Sequence, residues 1–195
     1  MSFSDLYFRE VIEIAEALNK EKVEILANTL ASTRDLSEGR VFILGVGGSA
    51  GNASHMVNDL RKLCGIEAYC PTDNVSEVTA RTNDEGFDTV FCGYLQVSRL
   101  SHKDTIFILS VGGGDEDRNV SVGLIKAIKY ARSVDATIVG IVGKNDGYTA
   151  INADAVVVVP QLAPSRITPH SEAFQAIVWH CLVSHPKLQI NATKW

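Results

Sequence analysis

Two hydrophobic periods divide the chain. In residues 5–33 the apolar side chains recur every three or four positions between charged ones, which is the period of an amphipathic helix. After about residue 40 the pattern changes to short apolar runs that are separated by glycine-rich turns and helical stretches. The first part therefore predicts one long helix or two shorter ones, and the second predicts alternating strands and helices.

The short apolar runs are the candidate strands. They are the run that ends before residue 45, and residues 66–70, 105–109, 137–142 and 155–159. The last three are apolar at nearly every position, as expected for parallel strands that helices cover on both faces. We therefore expect an α/β fold with a doubly wound parallel sheet. Pro160 ends the last strand, residues 161–169 are predicted as a loop, and a final helix is predicted over 171–184.

Composition and charge narrow the class of protein. The 195 residues are 46% hydrophobic and 21% charged, as in a globular domain. The net charge of -5 lacks the basic excess with which proteins bind nucleic acid. The charged N-terminus is unlike a signal peptide, and no segment is apolar enough for a membrane span. The four cysteines lack CxxC spacing, which fits a reducing compartment. We therefore expect one domain over residues 1–195, a cytoplasmic location, and neither a nucleic acid nor a membrane as partner.

Two glycine-rich loops follow predicted strands and precede predicted helices. In a doubly wound sheet ligands bind outside the carboxyl ends of the strands, where loops 45–52 and 110–119 are expected. In the first loop, three glycines and Ser49 precede a helix that we expect to begin near Asn52, and such turns let backbone N–H groups approach an anion. The spacing matches neither a dinucleotide nor a triphosphate motif. The loop is a candidate phosphate or sugar site, with a tight turn packed under a helix as the alternative.

The second loop carries an acidic trio, residues 115–117, before Arg118. These carboxylates would repel an anion unless they cap the helix and point to solvent, and Arg118 could supply the compensating charge. For the trio, a solvated helix start is favoured over a metal site. Both loops follow neighbouring strands, so we expect them to face one cleft.

Four titratable residues form the candidate reaction centre. His55 and Asp59 are four residues apart on the helix after the first loop and project from one face, while Glu172 and His180 are eight apart on the last helix. If the two helices face each other, they offer two imidazoles and two carboxylates, a set suited to Zn²⁺ or to paired acid–base chemistry. The alternatives are an ordinary surface hydrogen bond between His55 and Asp59, and a Glu172 carboxylate that interacts only with the helix dipole.

Three segments in this order resemble the sugar isomerase (SIS) family, and within it the phosphoheptose isomerases. The segment GVGGSAGNASHMVNDL, which ends at Leu60, resembles the GNGGSAADAQHFAAEL-type segment of that family. Residues 83–87, NDEGF, match its ND-x-GF marker. Residues 168–172, TPHSE, with His180 at the right distance, match its TPRIQE…H helix. The resemblance extends from about residue 39 to residue 184.

The resemblance implies a fold, an activity and an assembly. The fold is a flavodoxin-like three-layer sandwich with a five-stranded parallel sheet over residues 39–186, and residues 1–38 form a helical oligomerisation segment of a homotetramer. The implied activity is the conversion of sedoheptulose 7-phosphate to D-glycero-D-manno-heptose 7-phosphate through an enediol. One Zn²⁺ or other divalent ion per chain would assist it.

The resemblance also assigns roles to single residues. Asp59 would be the base and His180 the acid of the proton transfers. The implied metal ligands are His55, Asp59, Glu172 and His180. The implied substrate contacts are Gly47, Gly48, Ser49, Asn83, Asp84, Ser110, Gly112, Arg118 and Glu172.

The sequence also departs from the family pattern. Asp59 stands where the family has Glu, and Glu172, which stands where it has Gln, adds a negative charge that favours a divalent cation. Val46 replaces an Asn that contacts substrate in the family. The family's serine-rich phosphate loop, STSGNS, is reduced here to residues 110–112, so phosphate would be held by backbone N–H groups of residues 112–114 and by Arg118. These losses leave an alternative: a noncatalytic SIS protein that binds a sugar phosphate or acts as a tetrameric scaffold. Four clustered ligand-type residues favour the enzyme.

Overall fold

The computed structural model describes residues 1–194, so Trp195, which the predicted domain includes, lies outside the described residues. The helices are α1 (Phe3–Ala17), α2 (Lys20–Asp35), α3 (Gly48–Cys64), α4 (Val75–Glu85), α5 (Val90–Val97), α6 (Val122–Ser133), α7 (Tyr148–Asn152) and α8 (Ile167–Val183). The strands are β1 (Val41–Leu44), β2 (Ala68–Tyr69), β3 (Thr105–Ser110), β4 (Thr137–Val142) and β5 (Ala155–Val158). The N-terminal helical pattern therefore forms two helices.

The five strands form one parallel sheet in the order β2-β1-β3-β4-β5. The chain moves outward from β1 to β2, then returns across β1 to β3 and continues to β5. Between β1 and β3 the direction of winding reverses, and ligands of doubly wound sheets bind at this point. The structure confirms the α/β fold with a five-stranded parallel sheet.

Side chains that alternate along each strand fill two hydrophobic cores. In β1, Val41 and Ile43 pack in the core that also holds buried residues of α2, α3 and α8, whereas Phe42 and Leu44 pack with α5 and α6. Helices thus cover both faces of the sheet, which explains why its strands are apolar at nearly every position. The result is a three-layer sandwich.

A buried carboxylate ties the amino ends of the central strands together. Asp104 lies directly before β3 and accepts hydrogen bonds from the main-chain N–H and the guanidinium of Arg40, which precedes β1, and from the N–H and hydroxyl of Ser101. Its own carbonyl accepts from the N–H of Thr137 at the start of β4. These hydrogen bonds hold the amino ends of the strands together, and the glycine-rich loops lie at the opposite, carboxyl ends.

Two helices begin earlier than the sequence predicts. α3 begins at Gly48 rather than near Asn52, because the glycines of the loop enter the first turn of the helix. α8 begins at Ile167 rather than Ser171, and it includes Pro169. A proline is tolerated in the first turn because the N–H groups there have no acceptor within the helix.

The first helix is attached through an ionic clamp that the sequence analysis did not anticipate. Within residues 3–17, the buried side chains are Glu10 and Ile14. The Glu10 carboxylate accepts hydrogen bonds from Arg166 at 2.8 and 2.6 Å and lies 2.8 Å from Nε2 of His170. The hydrogen bonds from Arg166, and then from His170, lower the pKa of Glu10 to about 2. No sequence motif links these residues, since they are some 156 positions apart.

In the part of the chain that the structure describes, no helix has both the length and the apolar character needed to cross a lipid bilayer.

Candidate active site

A cleft of about 510 Å³ opens at the carboxyl ends of β1 and β3. Val46, two residues after the end of β1, lines it together with Asn119 and residues 121–124, at the start of α6. Phe87 and Phe91 also line it. One residue of each predicted loop, Val46 and Asn119, lines this cleft, whereas Gly112 and Gly114 of the second loop line a separate recess.

The first loop makes its turn through a glycine in the left-handed region. Gly47 has a φ of +63°, a conformation that side chains with a Cβ rarely adopt, and α3 begins at the next residue. The side chain of Ser49 is buried in the first turn of the helix. The loop is thus both a tight turn and a helix N-terminus that faces the carboxyl end of the sheet.

The carboxylate of Glu172 lies against this turn. A Cβ atom on Gly48 would be 2.6 Å from Cδ and 2.8 Å from Oε1 of Glu172, so the carboxylate occupies the space that glycine leaves. Asn52, one turn further along α3, donates to the main-chain oxygen of Glu172 at 2.9 Å and to Oε1 of Gln175 at 3.1 Å. α3 and α8 therefore run parallel, with the first turn of α3 beside the second turn of α8.

Further along the same two helices, three ligand-type side chains converge. One ligand atom from each of His55, Asp59 and His180 lies within 4.8 Å of the others. His55 Nε2 is 3.8 Å from Asp59 Oδ2, and the rings of His55 and His180 are 5.4 Å apart and nearly perpendicular. Nδ1 of His180 is engaged with the main-chain oxygen of Ala176 at 2.8 Å, which leaves its Nε2 for a ligand.

This donor set fits a divalent transition metal. Two imidazoles and a carboxylate are the protein ligands of many catalytic zinc sites, where a fourth position stays open for water or substrate. The contact of His180 Nδ1 with the main-chain oxygen of Ala176 fixes the orientation of the ring, as hydrogen bonds to metal-bound imidazoles generally do. The exposed ring of His55 and the half-buried Asp59 leave the group accessible from solvent.

Glu172, the fourth ligand implied by the resemblance, is not part of this group. It precedes His180 by eight residues, a rise of about 12 Å along a helix. Its carboxylate points to the glycine turn instead.

The remaining predicted substrate residues are dispersed. Asn83 and Asp84 are exposed at the C-terminal end of α4 and hydrogen-bond to each other at 2.7 Å. They precede Phe87, which lines the cleft. They are therefore near the cleft but not among the residues that line it.

The second loop folds back on itself. Ser110 Oγ accepts a hydrogen bond from the N–H of Gly113, and Asp115 accepts one from the N–H of Arg118 and pairs with its guanidinium at 3.4 Å. Arg118 is exposed and borders a separate recess of about 80 Å³ that Gly112 also lines. No residue of the acidic trio is among the described groups that could hold a metal.

Asn52 is a site residue that the sequence analysis missed. The sequence pattern indicates only that a helix begins near Asn52, whereas the structure places Asn52 between Gly48 and His55 on the side of α3 that meets α8. The spacing of residues 48, 52, 55 and 59 is that of one helix face, so this pattern could have identified it.

Comparison with known proteins shows the family of the chain. The family model for the SIS domain matches residues 6–143. A phosphoheptose isomerase of Methylococcus capsulatus is 31% identical over 185 residues, which are 90% of this chain and 90% of that protein. One from Mycobacterium tuberculosis is 33% identical over 153 residues, which are 75% of this chain and 71% of that protein.

Two further comparisons mark the range of similar proteins. The lincomycin biosynthesis protein LmbN of Streptomyces lincolnensis is 32% identical over 154 residues, and the match spans 75% of this chain but only 56% of that protein. The structure of phosphoheptose isomerase GmhA from Neisseria gonorrhoeae superposes with a TM-score of 0.79 at 24% identity, covering 93% of this chain and 96% of the other. At that identity the superposition supports the fold alone.

Proposed function

The chain belongs to the SIS domain family, and its phosphoheptose isomerase relatives indicate an aldose–ketose isomerase. We propose that it converts sedoheptulose 7-phosphate to D-glycero-D-manno-heptose 7-phosphate. The observation that carries the proposal is the convergence of His55, Asp59 and His180 on two parallel helices. Asn52 and the Glu172 carboxylate join the same two helices at the glycine turn that follows β1. A scaffold has no need for such a set of ligands at that place.

The reaction moves one proton between neighbouring carbons and another between their oxygens. A divalent ion, Zn²⁺ or another, held once per chain by His55, Asp59 and His180, would supply positive charge to stabilise the enediolate. Asp59 and His180 would also form the acid–base pair, in which Asp59 accepts a proton and His180 donates one from Nε2 while that nitrogen carries a proton and not the ion. The fixed Nδ1 contact of His180 holds its ring in one orientation for that transfer.

The substrate would lie in the cleft between the two loops. The turn at residues 47–49 would orient the sugar hydroxyls, with Asn83 and Asp84 at the rim. Residues 121–123 open α6 and line the cleft, and a helix N-terminus favours an anion, so we expect the phosphate group at this end. Ser110 and Gly112 support the loop, and Arg118 would have to leave Asp115 to reach the phosphate.

We further propose that the protein is a cytoplasmic homotetramer assembled through residues 1–38. α1 supports this assembly because large apolar side chains, among them Phe3, Phe8 and Ile12, are exposed on it. Exposed apolar surface of this kind is typical of an interface between subunits.

A noncatalytic SIS protein, a sugar-phosphate sensor or a tetrameric scaffold, is the less supported alternative. The exposed, Asp115-paired Arg118 is the observation in its favour, since it leaves the second loop without a free cation. The isomerase relatives and the three converging ligands favour the enzyme.

The test combines metal content with turnover. Purified protein is assayed with sedoheptulose 7-phosphate before and after chelation, and bound metal is measured by elemental analysis. We expect about one metal ion per chain, and we expect Asp59→Asn and His180→Gln to lose it and to lower kcat by about 100-fold or more. His102→Gln, an exposed histidine near the amino end of β3, is the matched control and keeps full activity. Full activity in Asp59→Asn or His180→Gln would show that the residue assignment is wrong.

A further inference from the structure

The two histidines of the metal-type cluster rest on one buried aromatic ring. Trp179 is fully buried on α8, and its ring stacks on that of His180, with the centroids 3.6 Å and the planes 26° apart. The same indole meets His55 edge to face, with the centroids 4.7 Å and the planes 67° apart. A side chain of the hydrophobic core thus contacts both imidazoles, although they belong to different helices.

The indole makes no polar contact in the described chain. Its buried Nε1 has no hydrogen-bond partner within residues 1–194. Leucine or phenylalanine would fill a hydrophobic core without a donor to satisfy, and a buried unpaired N–H destabilises a fold. Filling the core therefore does not account for an indole at residue 179, whereas its contacts with two imidazoles do.

The two imidazoles differ in what else holds them. Nδ1 of His180 is fixed by the main-chain oxygen of Ala176 at 2.8 Å. The side chain of His55 is 56% exposed, and its polar contact among the described residues is that of Nε2 with Asp59 at 3.8 Å. A metal-bound imidazole usually donates its other N–H to an acceptor that sets the orientation of the ring. For His55, the buried indole is the group that limits rotation of the ring.

We propose that Trp179 is a positioning residue of the metal site, which holds the rings of His55 and His180 so that both can bind one divalent ion. This inference rests on the metal role in the proposed function. An indole N–H is a donor only, so Trp179 acts through the two histidines and not as a ligand. Imidazoles that are already oriented lose less freedom when the ion binds, and this raises the affinity for the ion.

Metal affinity is the first measurement. Zn²⁺ is titrated against a chromophoric chelator with the wild-type protein and with Trp179→Leu, which fills part of the core but removes the aromatic surface. We expect the Kd for Zn²⁺ to rise by about 10-fold to 100-fold, as for loss of other groups that orient a metal ligand. Trp179→Phe keeps an aromatic ring under the histidines and should recover most of the lost affinity.

Phe174→Leu is the matched control. Phe174 is buried on α8 in the same core, but it has no ring contact with either histidine in the described chain. Both leucine variants remove a buried ring, so both should lower the free energy of unfolding in urea. Phe174→Leu should keep the Kd for Zn²⁺ within about twofold of wild type, because it shares no partner with the metal ligands.

A spectroscopic test leaves Trp179 unchanged and decides the matter if Trp179→Leu does not fold. The sequence has two tryptophans, so Trp195→Phe leaves Trp179 as the remaining indole. Co²⁺ quenches indole fluorescence at short distance, and we expect the emission to fall in step with the bound Co²⁺ that equilibrium dialysis measures. His55→Ala, which removes one ligand, should weaken this quenching. Unchanged emission with Co²⁺ bound would overturn the positioning role.

The outcomes separate this inference from the proposed function. If the wild-type protein binds Zn²⁺ and isomerises the sugar phosphate while Trp179→Leu keeps the wild-type Kd, the role of Trp179 is overturned and the enzyme stands. Equal loss of affinity in Trp179→Leu and Phe174→Leu would also overturn it, since the effect would then be one of core packing. If the wild-type protein turns over without a divalent ion, the metal role and this inference fail together. If it neither binds an ion nor turns over, the proposed function fails as well.

Discussion

Replacing Asp104 by asparagine removes one of the two side-chain oxygens that tie the amino ends of β1 and β3 together. Oδ1 accepts hydrogen bonds from the main-chain N–H and Nε of Arg40 at 3.1 and 3.0 Å. Oδ2 accepts from Nη2 of Arg40 at 2.9 Å and from the N–H of Ser101 at 2.8 Å. The Asp104 side chain is fully buried, so water cannot replace a lost partner.

The magnitude follows from counting the donors. Whichever oxygen the asparagine keeps, its amide group faces two N–H donors that lose their acceptor. A hydrogen bond to a charged group contributes about 1.5–3 kcal/mol, so Asp104→Asn should lower the free energy of unfolding by about 3–6 kcal/mol. For a chain of this length that corresponds to a fall in Tm of about 6 °C or more.

Urea unfolding followed by circular dichroism measures the change. Asp135→Asn is the matched control, because Asp135 is exposed, has a φ of +57° and makes no side-chain hydrogen bond among the described residues. It should lie within about 0.5 kcal/mol of wild type. Because Asp104 lies at the opposite end of the sheet from the cleft, kcat below the unfolding transition should not change. A loss below about 1 kcal/mol for Asp104→Asn would refute the reasoning.

Three further predictions concern charge, thiols and assembly. Arg166 holds the pKa of Glu10 at about 2, against an ordinary value of 4.5, so the stabilisation from this ionised group is complete above pH 4.5 and is lost as the pH falls toward 2. In urea unfolding at several pH values, the free energy of unfolding of Glu10→Gln should therefore fall less with acid than that of the wild type. An unchanged acid dependence would contradict the clamp. Burial raises the pKa of the Cys64 thiol to about 11, so an alkylating reagent at pH 8 should modify the exposed Cys181 before Cys64. Peptide mass spectrometry measures the two alkylation rates, and equal rates would contradict the burial of Cys64. Phe8→Asp should convert a tetramer into smaller species in light scattering coupled to gel filtration, and an unchanged mass would exclude α1 as the interface.

The sheet could be predicted from the sequence because its strands are buried on both faces. A short run between glycine-rich turns that is apolar at nearly every position, as in β3 and β4, is typical of a parallel strand buried on both faces. The starts of α3 and α8 were less predictable. Glycine and proline usually mark the outside of a helix, and here Gly48 and Pro169 lie within first turns, where helical hydrogen bonds are not yet required.

The site could be predicted only in part. The spacing of His55 and Asp59 places them on one helix face, but their approach to His180 depends on the crossing of two helices that no local pattern specifies. The resemblance assigned Glu172 to the same cluster. Its rotamer is set by the space at Gly48, and that contact is a property of tertiary packing.

The attachment of α1 also separates two kinds of stability. This helix buries two side chains and is fixed by the clamp around Glu10, whereas the sheet is enclosed on both faces. Its backbone amides should therefore exchange with solvent through local opening, at a lower free energy than the amides of the strands. Detachment of α1 and unfolding of the α/β body are then distinct events, and a change at the clamp can tune the first without affecting the second.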